Sequence, residues 1–133
     1  MSNSYFGYPL REAAQEELLW FRANLNIAGY ACDDGFIVIN PFSSLSEREI
    51  NAVCINEAIR LFMRAYQINP NIELTPMQTS FFKGTAYEDS TPHAKQSIIA
   101  RIISGDPSAQ DSTPDQRRVA QEIYELAIKN ENT

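Results

Sequence analysis

The stretch that decides the fold runs from Phe36 to Tyr66 and reads FIVIN at 36–40, PFSSLS at 41–46 and EREINAVCINEAIRLFMRAY at 47–66. Its first segment is almost continuously apolar, which is typical of a short strand that is covered on both faces. Ser46 and Glu49 then form the pattern of a capping box, in which each side chain accepts a hydrogen bond from the other residue's backbone amide. The sequence therefore predicts a buried strand, a turn and a long helix that begins after Ser46.

The predicted central helix is apolar around most of its circumference. Its broad apolar face consists of Ile50, Val53, Cys54, Ala58, Leu61, Phe62 and Ala65, and its opposite side carries Ile55, Ile59 and Met63. Such a helix belongs in the middle of a fold or in an interface. It is predicted to end near Ile68, because the Asn69-Pro70-Asn71 sequence that follows is a strong helix break.

A helix over residues 9–25 and a β-hairpin are predicted on the N-terminal side of this stretch. Apolar residues follow Pro9 at helical spacing, namely Leu10, Ala14, Leu18, Phe21 and Leu25. Two β-favouring runs, 28–33 and 36–40, flank Asp34-Gly35, which is typical of a two-residue turn with positive φ at both positions. A two-stranded hairpin is marginal alone, so this one must lie against the helices.

Three Thr-Pro pairs mark the starts of three further helices on the C-terminal side. A threonine cap followed by proline is a common helix start, and Gln78 and Gln116 complete capping boxes with Thr75 and Thr113. The three helices are predicted at about 76–83, 92–104 and 114–130.

Length and composition favour one domain. The chain has 133 residues, of which 44% are hydrophobic and 21% are charged, as is usual for globular proteins. The predicted fold class is α+β, mainly α, with a helix, a β-hairpin, a long central helix and three further helices in one compact domain. This domain spans residues 9–130, between an N-terminal arm at 1–8 and a frayed tail at 131–133.

The net charge of −6 disfavours nucleic acid as a partner, because binding to phosphates normally needs a surplus of lysine and arginine. No apolar run approaches the roughly 20 residues that span a bilayer, so no membrane partner is predicted. Cys32 and Cys54 are predicted to be free thiols, since neither belongs to a Cys-x-x-Cys or Cys/His pattern. No cofactor or metal is predicted.

Four polar residues of the central helix, Asn56, Glu57, Arg60 and Arg64, form the candidate site. A helix, a hairpin and then this helix resemble in layout the minimal zinc-protease unit, whose helix carries His-Glu-x-x-His. Because Asn56 and Arg60 stand where that unit needs histidines, a degenerate hydrolase is the weaker hypothesis. The stronger hypothesis is a structural cluster, in which Glu57, Arg60 and Arg64 form an ion-paired stripe and Asn56 bonds a neighbouring loop.

No catalytic arrangement is visible in the sequence, so the protein is predicted not to be an enzyme. His93 is the only histidine and lies just inside a predicted helix start, where it is expected to be exposed. Neither a nucleophile with a base nor a glycine-rich phosphate loop occurs. Aromatic residues at predicted loops and helix ends are instead candidates for a protein interface. They are Tyr5, Phe6, Tyr8, Phe81 and Phe82.

Three segments carry a family resemblance: VINPFSSLSEREINAVCINEAIRLFM at 38–63, LTPMQTSFFKGTAY at 74–87 and IIARIISGDPSAQDSTPDQ at 98–116. Together they resemble a set of small uncharacterised proteins encoded by tailed bacteriophages, in particular short-tailed, podovirus-like phages. The likeness covers about 36–120. It implies a setting, in the bacterial host cytoplasm or in the virion, and it assigns no functional residue.

The sequence favours a non-enzymatic protein that binds a protein partner or associates with itself. The preferred form of this hypothesis is a virion or assembly accessory protein of a tailed phage. A phage regulator that binds a host protein is the first alternative, and the degenerate zinc-protease-like hydrolase is the second.

Overall fold

The computed structural model describes residues 4–85 and 91–132, which contain two β-hairpins, five α-helices and one short 3-10 helix. The strands are β1 (Ser4–Tyr5), β2 (Tyr8–Pro9), β3 (Gly29–Ala31) and β4 (Ile37–Ile39). The α-helices are α1 (Gln15–Ala23), α2 (Glu47–Ala65), α3 (Pro76–Phe82), α4 (Thr91–Ser104) and α5 (Pro114–Glu131), and the 3-10 helix is Pro107–Asp111. The predicted class, α+β and mainly α, is confirmed. Residues 1–3 of the predicted arm and Thr133 of the predicted tail lie outside the described residues.

Helix α2 lies in the middle of the fold, where it contacts α4, α5 and strands of both hairpins. Six of its residues are buried, and these are Cys54, Ala58, Ile59, Leu61, Phe62 and Met63. The predicted capping box is present, since the Ser46 and Glu49 side chains each accept the other residue's backbone N–H at 3.2 Å. Helix α2 ends at Ala65, three residues before the predicted end, and Gln67 follows with a φ of 52°.

The hairpin of β3 and β4 forms as predicted, but its turn differs from the prediction. The Cys32 N–H donates to the Phe36 carbonyl oxygen at 2.8 Å, so the loop contains three residues, 33–35. Only Gly35 has a positive φ there, at 87°, while the Asp34 carboxylate accepts the Phe36 N–H at 3.1 Å. The bond from the Phe36 N–H to the Asp34 carboxylate favours a turn whose first residues have negative φ. Gly35 then supplies the single residue with positive φ that a β-bulge needs.

The first helix begins six residues later than predicted, at Gln15 rather than Pro9. Pro9 belongs to β2 and pairs with Ser4, and Leu10 forms a parallel bridge with Ile37 of β4. The turn between β1 and β2 has positive φ at Phe6 (53°) and Gly7 (87°), which is the two-residue turn that the sequence had suggested for the other hairpin. Pairing within β1–β2 and with β4 therefore holds Pro9 and Leu10 in an extended conformation, although helical spacing alone assigns them to a helix.

Two of the three predicted threonine caps are confirmed in full. The Thr75 and Thr113 hydroxyls accept the backbone N–H groups of Gln78 and Gln116, both at 3.1 Å. Helix α4 begins at Thr91, close to the predicted start, although the side chain of Thr91 lies outside the described residues. The two capping glutamines are buried and bonded to each other, a contact between α3 and α5 that local patterns do not encode.

Candidate functional site

Three of the four polar residues predicted on α2, Glu57, Arg60 and Arg64, line a cleft between β3, α2 and α4, and Asn56 lies outside its walls. The cleft has a volume of about 390 Å³. Its walls are Gly29, Tyr30, Ala31, Glu57, Arg60, Arg64, His93 and Gln96. Strand β3 can lie closely against both β4 and α2 because residue 29 is glycine: an added Cβ would lie 2.7 Å from the Val38 carbonyl oxygen of β4 and 3.3 Å from Val53 Cγ1 of α2.

Arg60 is held in place by contacts on two sides. Its Nε donates to Asn56 Oδ1 at 2.6 Å, and its Nη2 donates to the hydroxyl of the buried Ser97 at 3.0 Å. Asn56 in turn donates from Nδ2 to Ser104 Oγ at 3.4 Å. Asn56 thus bonds helix α4 rather than the loop that was predicted, and the Asn56–Arg60 pair connects α2 to the middle and the C-terminal end of that helix.

Glu57 connects α2 to the second hairpin. The backbone of Ala31 hydrogen-bonds the Glu57 carboxyl group, and burial raises the pKa of that group above its ordinary value of 4.5. The positive charges of Arg60 and Arg64 act in the opposite direction and stabilise the ionised form. Arg64 is more exposed and lies 4.0 Å from the Asp33 carboxylate in the hairpin loop. The four residues therefore hold β3, α2 and α4 together around the cleft.

The chemistry of the cleft differs from that of the zinc-protease layout. In the part of the chain that the structure describes, no three side chains among His, Cys, Asp and Glu are grouped as metal ligands. His93 is exposed in the first turn of α4, as expected from the sequence, and it lies at the cleft beside two arginines.

Between residues 4 and 85, and again between 91 and 132, no helix is long and apolar enough to cross a membrane.

Replacing Glu57 with glutamine should raise the melting temperature at pH 7. Because the pKa of Glu57 is raised on folding, its ionised form favours the unfolded state, and a neutral amide can still accept the Ala31 N–H. The gain in melting temperature should shrink as the pH falls through the raised pKa. It should vanish well below pH 4.5, where the wild-type carboxyl is protonated in both the folded and the unfolded protein. Thermal unfolding from pH 3.5 to pH 8 tests this, with Glu12→Gln at an exposed loop position as the matched control. An equal gain in both variants at every pH would show that the burial of Glu57 is irrelevant.

Of the five aromatic residues predicted at an interface, most belong to the core. Tyr5, Phe6 and Phe82 are buried, and Tyr8 is half-buried. The positive φ at Phe6 turns its ring inward, edge-on to Tyr124 at a centroid distance of 5.9 Å. Phe81 alone among the five is mostly exposed, at 54%.

A surface that the sequence had not suggested lies on α1. Leu19 and Trp20 point outward with 67% and 43% exposure, and Leu25 beyond the helix end is 59% exposed. Tyr30 stands edge-on to Trp20 at a centroid distance of 5.6 Å. We call these four residues the α1 surface.

The α1 surface contains a depression with an acidic rim. The depression has a volume of about 380 Å³ and is lined by Trp20, Tyr30, Glu16 and Glu17. The Glu17 carboxylate is fixed by the Arg11 guanidinium through two hydrogen bonds of 2.7 and 3.0 Å, while Glu16 is exposed. The depression therefore combines aromatic walls with carboxylates at its edge.

The sequence contains one signal for this surface. Residues 18–21 read LLWF, and four consecutive apolar residues of a helix span too wide an arc to face one core. Phe21 takes the fully buried position and Leu18 is half-buried, which leaves Leu19 and Trp20 on the outside. The predicted apolar face, which is given above, is correct for Leu18 and Phe21. It was wrong for Ala14 and Leu25, which are exposed, and for Leu10, which precedes the helix.

No protein-family model matches the sequence, and comparisons with curated proteins and with solved structures found no similar protein.

Proposed function

We propose that the chain is a non-enzymatic protein-binding module and that the α1 surface is its docking surface. The observation that supports this most strongly is the exposure of the only tryptophan of the chain beside Leu19 on the outer face of a short helix. Tryptophan is among the residues that contribute most to binding at protein interfaces. Removing a large apolar side chain from water stabilises by about 1.5–3 kcal/mol, so covering both residues is a substantial driving force.

The partner should present an apolar side chain next to a lysine or arginine. The depression between Trp20 and Tyr30 suits an apolar side chain, and the exposed carboxylate of Glu16 at its rim suits a cation. Because the net charge is −6, charge attraction requires a partner whose contact surface is locally basic. This combination of an apolar anchor and a flanking cation defines the class of ligand.

The setting we propose is a tailed-phage infection, on the basis of the resemblance of the three segments quoted above. A virion or assembly accessory protein is the first form of this proposal, and a regulator that binds a host protein is the second. Mass spectrometry of purified particles should find copies of the chain in the first case. Absence from particles, together with a host protein that co-purifies with wild type and not with a Trp20→Glu variant, would select the second.

The docking surface is tested by selecting ligands from a library of random peptides on the immobilised protein. We expect enriched peptides to contain an aromatic or aliphatic residue flanked by lysine or arginine. Trp20→Glu should weaken their binding at least tenfold, because it removes an aromatic anchor and places a charge in the depression.

Leu126→Glu is the matched control, since Leu126 is a similarly exposed apolar residue on α5 at 49%. It should retain binding within about twofold, as expected for a residue outside the contact. Enrichment of acidic peptides, or equal losses in the two variants, would contradict the proposed surface.

A further inference from the structure

A second exposed apolar surface lies on α3, and basic side chains adjoin it. Met77 and Phe81 are 65% and 54% exposed and lie four residues apart on one face of the helix. Residues at this spacing are neighbours on a helix surface. We call Met77 and Phe81, with the basic residues beside them, the α3 surface.

The basic residues of the α3 surface are Arg101 and Lys83. The Arg101 guanidinium lies over the Phe81 ring, with its carbon 4.5 Å from the ring centroid, and Lys83 is the exposed residue that ends α3. The first turn of α3 contains no acidic residue. An aromatic ring with cations next to it is the same combination that the α1 surface requires of its ligand.

We infer that the partner of the α1 surface is a second copy of this chain, which docks through its α3 surface. This inference rests on the proposed function and names the partner that the proposal leaves open. The exposed side of the Phe81 ring enters the depression of about 380 Å³ between Trp20 and Tyr30. Lys83 then lies near the Glu16 carboxylate, so that apolar contact and charge attraction act at the same place.

Such an interface joins two different surfaces of the same chain. It is therefore head-to-tail, and each added copy leaves one α1 surface and one α3 surface unused at the ends. Contacts of this kind give rings when the rotation closes and open chains when it does not. One aromatic anchor on each side makes a small interface, so each single contact is weak and reversible.

The test uses two variants that each remove one side of the contact, Trp20→Glu and Phe81→Glu. Wild type should show a weight-average mass that rises with concentration up to about 0.5 mM in sedimentation velocity, as expected for a small interface. Each variant alone should remain a monomer. An equimolar mixture should form a one-to-one dimer and nothing larger, because the intact α3 surface of the first variant still fits the intact α1 surface of the second.

Leu126→Glu again serves as the control and should associate like wild type. Both test positions are exposed, and circular dichroism spectra that match wild type would establish that the variants fold. A mixture that stays monomeric, or a wild-type chain that is monomeric throughout, would overturn the inference. If wild type stays monomeric while peptides with an apolar and basic anchor still bind at Trp20, the proposed function stands and only the second copy is excluded as the partner.

Discussion

Changing Asn40 to aspartate should lower the free energy of unfolding by about 3–5 kcal/mol, which is a large part of the 5–15 kcal/mol typical of one domain. Asn40 is 1% exposed. Its Nδ2 donates to the carbonyl oxygens of Ile27 at 2.8 Å, Phe21 at 3.3 Å and Asn24 at 3.4 Å. Two of these carbonyls, those of Phe21 and Asn24, lie at the C-terminal end of α1 and also accept the backbone N–H groups of Asn24 and Ile27.

The aspartate keeps the shape of the side chain but replaces its hydrogen-bond donor, the amide nitrogen, with an acceptor oxygen. It places a carboxylate against three carbonyl oxygens and removes the Nδ2 donor that they share, while the Phe42 N–H that Asn40 Oδ1 accepts at 2.9 Å is still satisfied. Helix α1 has one fully buried residue, Phe21, so Asn40 is a main attachment of the α1 surface to the rest of the fold. The variant should therefore lose both stability and binding at Trp20.

Urea unfolding measures this effect, and Asn51→Asp is the matched control. Asn51 is exposed, and its Oδ1 accepts the Tyr5 hydroxyl at 2.8 Å, a role that a carboxylate can also fill. We expect the control to change stability by less than about 0.5 kcal/mol. A loss below about 1 kcal/mol for Asn40→Asp would mean that the three carbonyls do not depend on this donor.

Changing Gln116 to leucine should lower the free energy of unfolding by about 3–4 kcal/mol, because it removes four hydrogen bonds and leaves the buried Gln78 Nε2 without its acceptor. Gln116 is fully buried. Its Nε2 donates to Gln78 Oε1 and to the Glu73 carbonyl oxygen, both at 2.7 Å. Its Oε1 accepts Gln78 Nε2 at 2.9 Å and the Thr113 N–H at 3.1 Å. One side chain thus caps α5 and bonds the residue that caps α3.

A double-mutant cycle separates the two roles of Gln116. In the Gln116 variant, removing the Gln78 side chain should cost about 1–2 kcal/mol less than it costs in wild type, because Gln78 Nε2 has already lost its acceptor there. Gln121→Leu is the control, since Gln121 is exposed on the same helix and bonds only the exposed Glu125 among the contacts described. Strictly additive losses would show that the two caps act independently.

Local patterns predict the helix starts well and the contacts between elements poorly. The capping boxes at Ser46, Thr75 and Thr113 follow from residues three positions apart, and all three are present. The pairing of Gln78 with Gln116 joins residues 38 positions apart, and no local rule encodes it. The late start of α1 has a similar cause, since the bridge from Leu10 to Ile37 overrides helical spacing.

For the candidate site, too, the sequence predicts which residues lie together on one helix but not which residues of other elements they contact. The shared position of Asn56, Glu57 and Arg60 follows from helical spacing on α2. Their partners, such as Ser97 and the backbone of Ala31, come from other elements and required the structure. Because four consecutive apolar residues of a helix cannot all face one core, the LLWF run at 18–21 indicates that some of them are exposed. Which two of the four face outward depends on tertiary packing.

The fluorescence of Trp20 tests the central claim, that this chain binds protein through the α1 surface, most directly. As the only tryptophan, it reports on that surface without a label. On titration with an apolar and basic peptide from the selection, emission should shift to shorter wavelength and quenching by iodide should fall, because the 43% exposed indole becomes covered. The same peptide with its cations changed to glutamate should have no effect. Binding that leaves both the emission and the quenching of Trp20 unchanged would contradict the account.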